Sequence, residues 1–197
     1  MMTALVLLVQ SGLLAQKGVS RRFIGGIIAG ASFTQVDGDG AAGFNRLGLQ
    51  TGLRVSAALH RRWWMTMEML FSQKGSRAKI TDIKPGVKIR ANYLEVPIYV
   101  TFLDWANETA SGEEYMKIHA NLGFTYGYLI GGSTEGLQSN ADVNKYMGNS
   151  DFSIMAGASV QFNRHLGLDF RWTNSLLPMG FDDVRNRLLT MRMQWLF

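Results

Sequence analysis

The chain has 197 residues, enough for one domain with a filled core or for a closed barrel. Its formal charge of +5 would suit an anionic partner. However, the Lys and Arg residues are scattered and form no basic helix or aromatic-basic stripe, so nucleic acid is excluded as a partner. There is no cysteine, so stability must come from packing and backbone hydrogen bonding rather than disulfides. Twenty-two glycines against three prolines, with 11% aromatic residues, suit an all-β protein with close-packed backbone.

The first segment, "MMTALVLLVQSGLLAQ", carries an apolar stretch from Ala4 to Ala15, interrupted by Gln10, Ser11 and Gly12. It is too short to span a bilayer as a helix, and it ends on a small residue. Residues 1–15 are expected to be a secretory signal peptide, although the usual positive start is missing, and residues 16–197 the mature domain. A buried N-terminal helix is the alternative. After the signal no apolar run is long enough for a membrane-spanning helix.

From there the hydropathy alternates with period two, as successive side chains of a strand must. The first strand, "FIGGIIAGASF", is glycine-rich and its faces are ambiguous. "RLGLQTGLRVSAAL" sets Leu47, Leu49, Leu53, Val55 and Leu59 against Gly48, Gln50, Arg54 and Ser56. After the tight junction "HRR", "WWMTMEMLFSQK" sets Trp63, Met65, Met67, Met69 and Phe71 against Trp64, Thr66, Glu68, Leu70 and Ser72. The two form a predicted hairpin. "NYLEVPIYVTF" follows with Leu94, Val96, Ile98, Val100 and Phe102 opposite Tyr93, Glu95, Pro97, Tyr99 and Thr101. "YMKIHANLGFTYGYLI" places Ile118, Leu122, Phe124, Tyr126 and Tyr128 opposite Lys117, His119, Asn121 and Thr125. "DFSIMAGASVQFN" and "LGLDFRW" continue the rule, the latter with Asp169 and Arg171 on its polar face.

Long connections alternate with short ones. Those near Gln35–Asn45, Gly75–Val87, Gly131–Ser150 and Asn174–Asn186 are long, and those at His60–Arg62 and Asn163–His165 are tight. The medium "LDWANETASGEE", from Leu103 to Glu114, is the one departure. Roughly eight strands of about ten residues, with long loops at one end, predict an eight-stranded antiparallel up-and-down transmembrane β-barrel. A soluble lipocalin-like barrel would show the same alternation. The membrane is favoured because Trp, Tyr, Met and Phe gather near the strand ends, as an interfacial girdle requires. The opposite faces are rich in Gly, Ser and Thr with isolated charges of both signs, which suits a crowded lumen.

The chain ends "LLTMRMQWLF", a strictly alternating run through Met191, Met193, Trp195 and Phe197. A closed sheet must pair its last strand with its first, because unpaired backbone in hydrocarbon is costly. The terminal strand is therefore expected to run to the final residue. The ending, with Met193, Trp195 and Phe197 on one face, resembles the C-terminal assembly signal of bacterial outer-membrane barrels. That resemblance implies the barrel-assembly machinery as a partner, beside membrane lipid.

Several stretches resemble the PorT-like outer-membrane β-barrel family of Bacteroidetes. They are "GGIIAGASFTQVDGDGAAGFNRLGLQTGLRV", "EMLFSQKGS", "NYLEVPIYV" and "LGLDFRW…NRLLTMRMQWLF". The resemblance implies an outer-membrane barrel and, through the protein that gave the family its name, a link to type IX secretion. No motif here marks a dedicated secretion component.

The face read as the lumen collects Arg54, Glu68, Glu95, Lys117, His119, Asp169, Arg171 and Arg192. At about eight strands a barrel interior is just filled by side chains, so these charges are expected to pair as a structural plug. Arg54 and Glu68, equally far from the His60–Arg62 turn, are expected to lie near each other. A proton or ion path is the functional alternative. Glu68 and Glu95 read as countercharges rather than a catalytic acid pair, which would need a cleft that admits substrate. The three histidines are scattered, without a second ligand at metal spacing. "DGDG" (Asp37–Gly40) lacks the remaining carboxylates of a calcium loop and reads as a turn. Met65, Met67 and Met69 read as a lipid-facing row, and "NET" at Asn107 as an inert turn. No nucleophile elbow or Walker-type loop is present.

The sequence therefore predicts a bacterial outer-membrane barrel with both termini periplasmic, no cofactor and no bound metal. The function expected is non-enzymatic: an anchor or interaction partner of envelope or secretion-system proteins. A small-solute pore and a membrane-embedded enzyme are the alternatives.

Overall fold

The computed structural model describes residues 22–37, 46–77, 88–110, 112, 114–135, 149–176 and 185–197. These form eight strands: β1 (Phe23–Asp37), β2 (Arg46–Ala58), β3 (Trp63–Arg77), β4 (Lys88–Glu108), β5 (Glu114–Glu135), β6 (Ser150–Gln161), β7 (Leu166–Ser175) and β8 (Arg185–Leu196). Each pairs antiparallel with its sequence neighbours, and β8 pairs with β1 to close the barrel. The closing ladder runs from Asp37 opposite Arg185 to Gly26 opposite Leu196. Phe197 N then donates to Gly25 O at 3.0 Å, so the last residue of the chain still belongs to the sheet. Closure leaves no open sheet edge round the barrel, as hydrocarbon requires.

The register sets the size of the barrel. Cross-strand partners followed once round from Gly25 are Val55, Met67, Ile98, Phe124, Ile154, Asn174 and Arg187. The path returns to β1 at Gln35, ten residues further along. For eight strands that stagger tilts them about 40° from the barrel axis, with an interior that side chains just fill.

The apolar residues cover the outside. Leu53 is 56% exposed, Met69 52% and Leu122 62%, and the outward rows of β3, β7 and β8 are likewise uncovered. Inside lie Ser, Thr, Gln and the charged residues, nearly all below 5% exposure. A water-soluble barrel has the reverse arrangement, so this surface is built for an apolar solvent. The faces of β1, ambiguous in the sequence, are resolved by burial: Gly26, Ile28, Ser32 and Thr34 point inward. Inward glycines stand opposite large inward residues, Gly30 beside Arg192 and Gly123 beside Tyr99. A Cβ at Gly30 would come within 2.5 Å of the Arg192 backbone, and one at Gly123 within 2.4 Å of Tyr99 Cβ. The glycines thus clear the room that the plugging side chains occupy.

Three connections, 59–62, 109–113 and 162–165, define a turn end, which also holds both ends of the described chain. The opposite end is the loop end. Residues 1–21 lie outside the described residues, and so do Gly38–Gly40 of "DGDG". The medium connection differs from its expected form. β4 and β5 continue past the rim as a two-stranded ribbon, pairing Ala106 with Met116 and Glu108 with Glu114. Neither neighbour follows them there, since β3 begins opposite Phe102 and β6 ends opposite Ile118. Gly112, at φ 82, closes the tip, and its N–H donates to Thr109 O at 2.9 Å.

Candidate functional site

The inward residues of β2 to β8 build a continuous polar network across the lumen. At its centre Glu68 of β3 receives Arg171 through two bonds of 3.0 and 3.1 Å, and Arg192 Nη1 at 3.0 Å. The Tyr99 hydroxyl donates to the same carboxylate. Asp169 accepts from Arg192 Nε at 2.9 Å, from Ser159 Oγ at 2.7 Å and from Asn121 Nδ2 at 3.2 Å. The Arg171 guanidinium also lies 4.7 Å from the centre of the Tyr99 ring. Planar guanidinium groups suit this role because each can address two carboxylates at once.

Towards the loop end lies a second ion group. Lys74 Nζ sits 2.5 Å from Glu95 Oε1 and 2.7 Å from Asp151 Oδ2. Asp151 Oδ1 accepts from Ser153 at 2.9 Å and Ser175 at 2.7 Å. Gln50 joins the two groups, since its amide donates to Glu95 at 3.1 Å and its oxygen accepts from Arg192 at 3.2 Å. Towards the turn end Arg54 donates to Ser56 Oγ at 3.1 Å and to Gln194 Oε1. Ser56, Thr66, Thr101 and Asn121 continue as a hydroxyl–amide chain at 2.9, 3.3 and 2.9 Å.

The candidates read from the sequence are thus distributed in three ways. Glu68, Asp169, Arg171 and Arg192 meet directly, and Glu95 belongs to the group around Lys74. Arg54 stands opposite Glu68 in the β2–β3 register, yet its guanidinium turns to Gln194 and makes no ion pair with it. His119 is buried, with Nε2 3.0 Å from Met116 O, apart from the ion pairs. Lys117 does not enter the network. Its ammonium lies 5.6 Å from the ring centre of Trp105, a non-glycine residue at positive φ (57°) on the ribbon. Both residues lie past the rim, beyond Phe102 and Ile118, where the ribbon encloses no lumen, and the lysine rests on the exposed indole instead.

Two members escaped the sequence reading, Lys74 and Asp151. Each sits one inward step beyond the last residue assigned to the polar face of its strand, Lys74 after Ser72 and Asp151 before Ser153. Carrying the alternation one pair further would have found both.

Among the described residues the buried ions balance, with Arg54, Lys74, Arg171 and Arg192 against Glu68, Glu95, Asp151 and Asp169. A closed network of this kind is favourable only when its members are satisfied. The central carboxylates are occupied by guanidinium groups, so none is poised as a general base. Met193, Trp195 and Phe197 all face outward; Trp195 stacks on His165 at 5.6 Å, and Phe197 lies against Gly25.

The comparison with known structures agrees with this geometry. A crystal structure of Ail, the attachment invasion locus protein of Yersinia pestis, superposes with a TM-score of 0.53 at 14% identity, covering 88% of this chain and 98% of that one. Ail in complex with the heparin analogue sucrose octasulfate gives 0.52 at 14% identity, covering 89% and 99%. Neisserial surface protein A gives 0.47 at 11% identity, covering 92% and 100%. The two Ail likenesses show a shared fold. No curated protein matches the chain. The family model described as "Outer membrane protein beta-barrel domain" matches residues 15–179. The chain therefore belongs to the outer membrane protein β-barrel domain family and is a protein of the bacterial outer membrane.

Proposed function

We propose that this protein is a non-enzymatic barrel that acts through its surface, as an anchor or interaction partner in the cell envelope. The observation that carries the reading is the filled lumen. Arg192, Glu68 and Asp169 are each about 1% exposed and lie across the middle of the barrel. An eight-stranded interior packed in this way leaves little for a solute path, and its carboxylates are committed to countercharges. What remains for function is the rim, the loops and the ribbon of β4 and β5.

In this reading the turn end, with both chain termini, faces the periplasm, and residues 1–15 are removed as a signal peptide. The chain is a PorT-like barrel, as "SQKGS" and "YLEVP" suggest, and its partners are envelope proteins, those of secretion systems included. Crosslinking in native envelopes, followed by identification of the attached proteins, tests this directly. Defined partners are expected; recovery of lipid adducts alone would contradict it.

The outward row Met193, Trp195 and Phe197 is proposed as the signal read by the barrel-assembly machinery. Deleting Phe197, or replacing it with Asp, is expected to reduce the heat-modifiable outer-membrane form several-fold in membrane fractions. Phe197 closes the sheet onto Gly25 and contributes exposed aromatic surface rather than core. Normal insertion of both variants would reduce the row to lipid-facing packing.

A further inference from the structure

At the turn end, between the barrel wall and the root of the β4–β5 ribbon, lies a cavity of about 540 Å³. That is the volume of a small-molecule site. Its polar wall holds Arg54, His119 and Gln161, and its apolar wall Leu103, Met116 and Phe197. Arg164 and Glu114 stand among the remaining lining residues with opposite charges.

Three features of the polar wall define a ligand. Arg54 is 7% exposed, and among the described residues it is the buried lumen cation without a carboxylate in ion-pair contact; its bonds go to the neutral oxygens of Ser56 and Gln194. The lumen's charge is also divided along the axis. Lys74 takes two carboxylates at the loop end, which leaves Arg54 as the surplus cation at the turn end. Gln161 is 3% exposed, and both its amide nitrogen and its oxygen are buried without a partner. The same holds for His119 Nδ1. Because His119 Nε2 faces the Met116 carbonyl, it must carry the proton, so Nδ1 of the neutral ring is an acceptor.

We propose that this mouth binds a small organic carboxylate that carries an N–H or O–H donor near its acid group and an apolar body. The carboxylate lies on Arg54 and the Gln161 amide nitrogen, which supply the positive charge and a donor. The ligand's own donor meets His119 Nδ1 or the Gln161 oxygen, both left accepting. The apolar body rests on Leu103, Met116 and Phe197. This complementarity satisfies the buried atoms that the barrel leaves unpaired. The site does not depend on the proposed envelope partners: its polar wall belongs to the lumen, and Met116 of the ribbon and Phe197 flank it at the rim.

N-acetylphenylalanine has all three parts and serves as the probe, in equilibrium dialysis against the full chain refolded in zwitterionic detergent. Binding above that of empty micelles is expected. The methyl ester, which loses the charge, and 3-phenylpropionate, which loses the N–H, should each bind about tenfold more weakly. Arg54→Gln should weaken the probe by about tenfold or more. Met116→Trp, placed on the ribbon outside the closed barrel, should block the cavity while the heat-modifiable fold persists. A short peptide ending in phenylalanine separates the two sources of such an acid: equal binding assigns the site to chain termini, and tenfold weaker binding to free acids. No binding by wild type, or equal binding by wild type and both variants, would overturn the proposal.

Discussion

Replacing Glu68 with leucine is expected to destabilise the barrel by about 3–5 kcal/mol, the usual cost of removing one partner from a buried ion pair. Glu68 is the carboxylate shared by Arg171 and Arg192, at 3.0 Å from each. Its loss leaves Asp169 alone to hold both buried guanidinium groups. The expected readout is a lower urea midpoint for the refolded protein, followed by tryptophan fluorescence and by heat-modifiable migration. The partner assignment makes a sharper test. Glu68→Leu combined with Arg171→Leu should recover part of the loss, with a coupling of about 0.5–3 kcal/mol. Glu68→Leu combined with Arg54→Leu should show a clearly smaller coupling, because Arg54 faces Glu68 across the register but bonds to Gln194 and Ser56 instead. Coupling of the reverse pattern would mean that Arg54 is the true counterion.

Lys74→Met should have an effect of similar size, about 3–5 kcal/mol, for the opposite electrostatic reason. Glu95 and Asp151 both close on this one ammonium, and all three side chains are at most 2% exposed. Without it two carboxylates face one another in low dielectric, with only hydroxyl and amide donors beside them. Asp151 keeps its bonds from Ser153 and Ser175, whereas Glu95 keeps only Gln50. Glu95→Gln made together with Lys74→Met should therefore recover stability. The surface pair Arg62–Asp104, 3.5 Å apart with both side chains 59% exposed, is the control. Arg62→Ala should cost less than about 1 kcal/mol, as exposed pairs do. An equal loss from both variants would show that burial is not what gives Lys74 its importance.

Much of this architecture is legible in the sequence because a strand writes its two faces directly into odd and even positions. The outward rows of β2 to β8 and the need for β8 to run to Phe197 follow from period two and closure alone. The glycine-rich β1 hides its faces, since a residue without a side chain belongs to either side until its neighbours are known. The ion partners are hidden for another reason. The ten-residue stagger carries β7 and β8 round the barrel, so Arg171 and Arg192 reach Glu68 across the lumen. No spacing along the chain encodes that meeting. Local register does place Arg54 opposite Glu68, but a long guanidinium side chain can leave its cross-strand partner for a better geometry elsewhere. Lys117 departs because it lies one residue past Ile118, where β6 ends and the β4–β5 ribbon leaves the barrel, a boundary that the pattern of side chains does not announce.

Single-channel recording in a planar bilayer tests the filled lumen most directly. The wild-type barrel, inserted alone, is expected to conduct little above baseline, because Arg192, Glu68, Arg171 and Asp169 occupy the cross-section that ions would need. Steady, sizeable currents from wild type would contradict the plug and make a small-solute pore the better account.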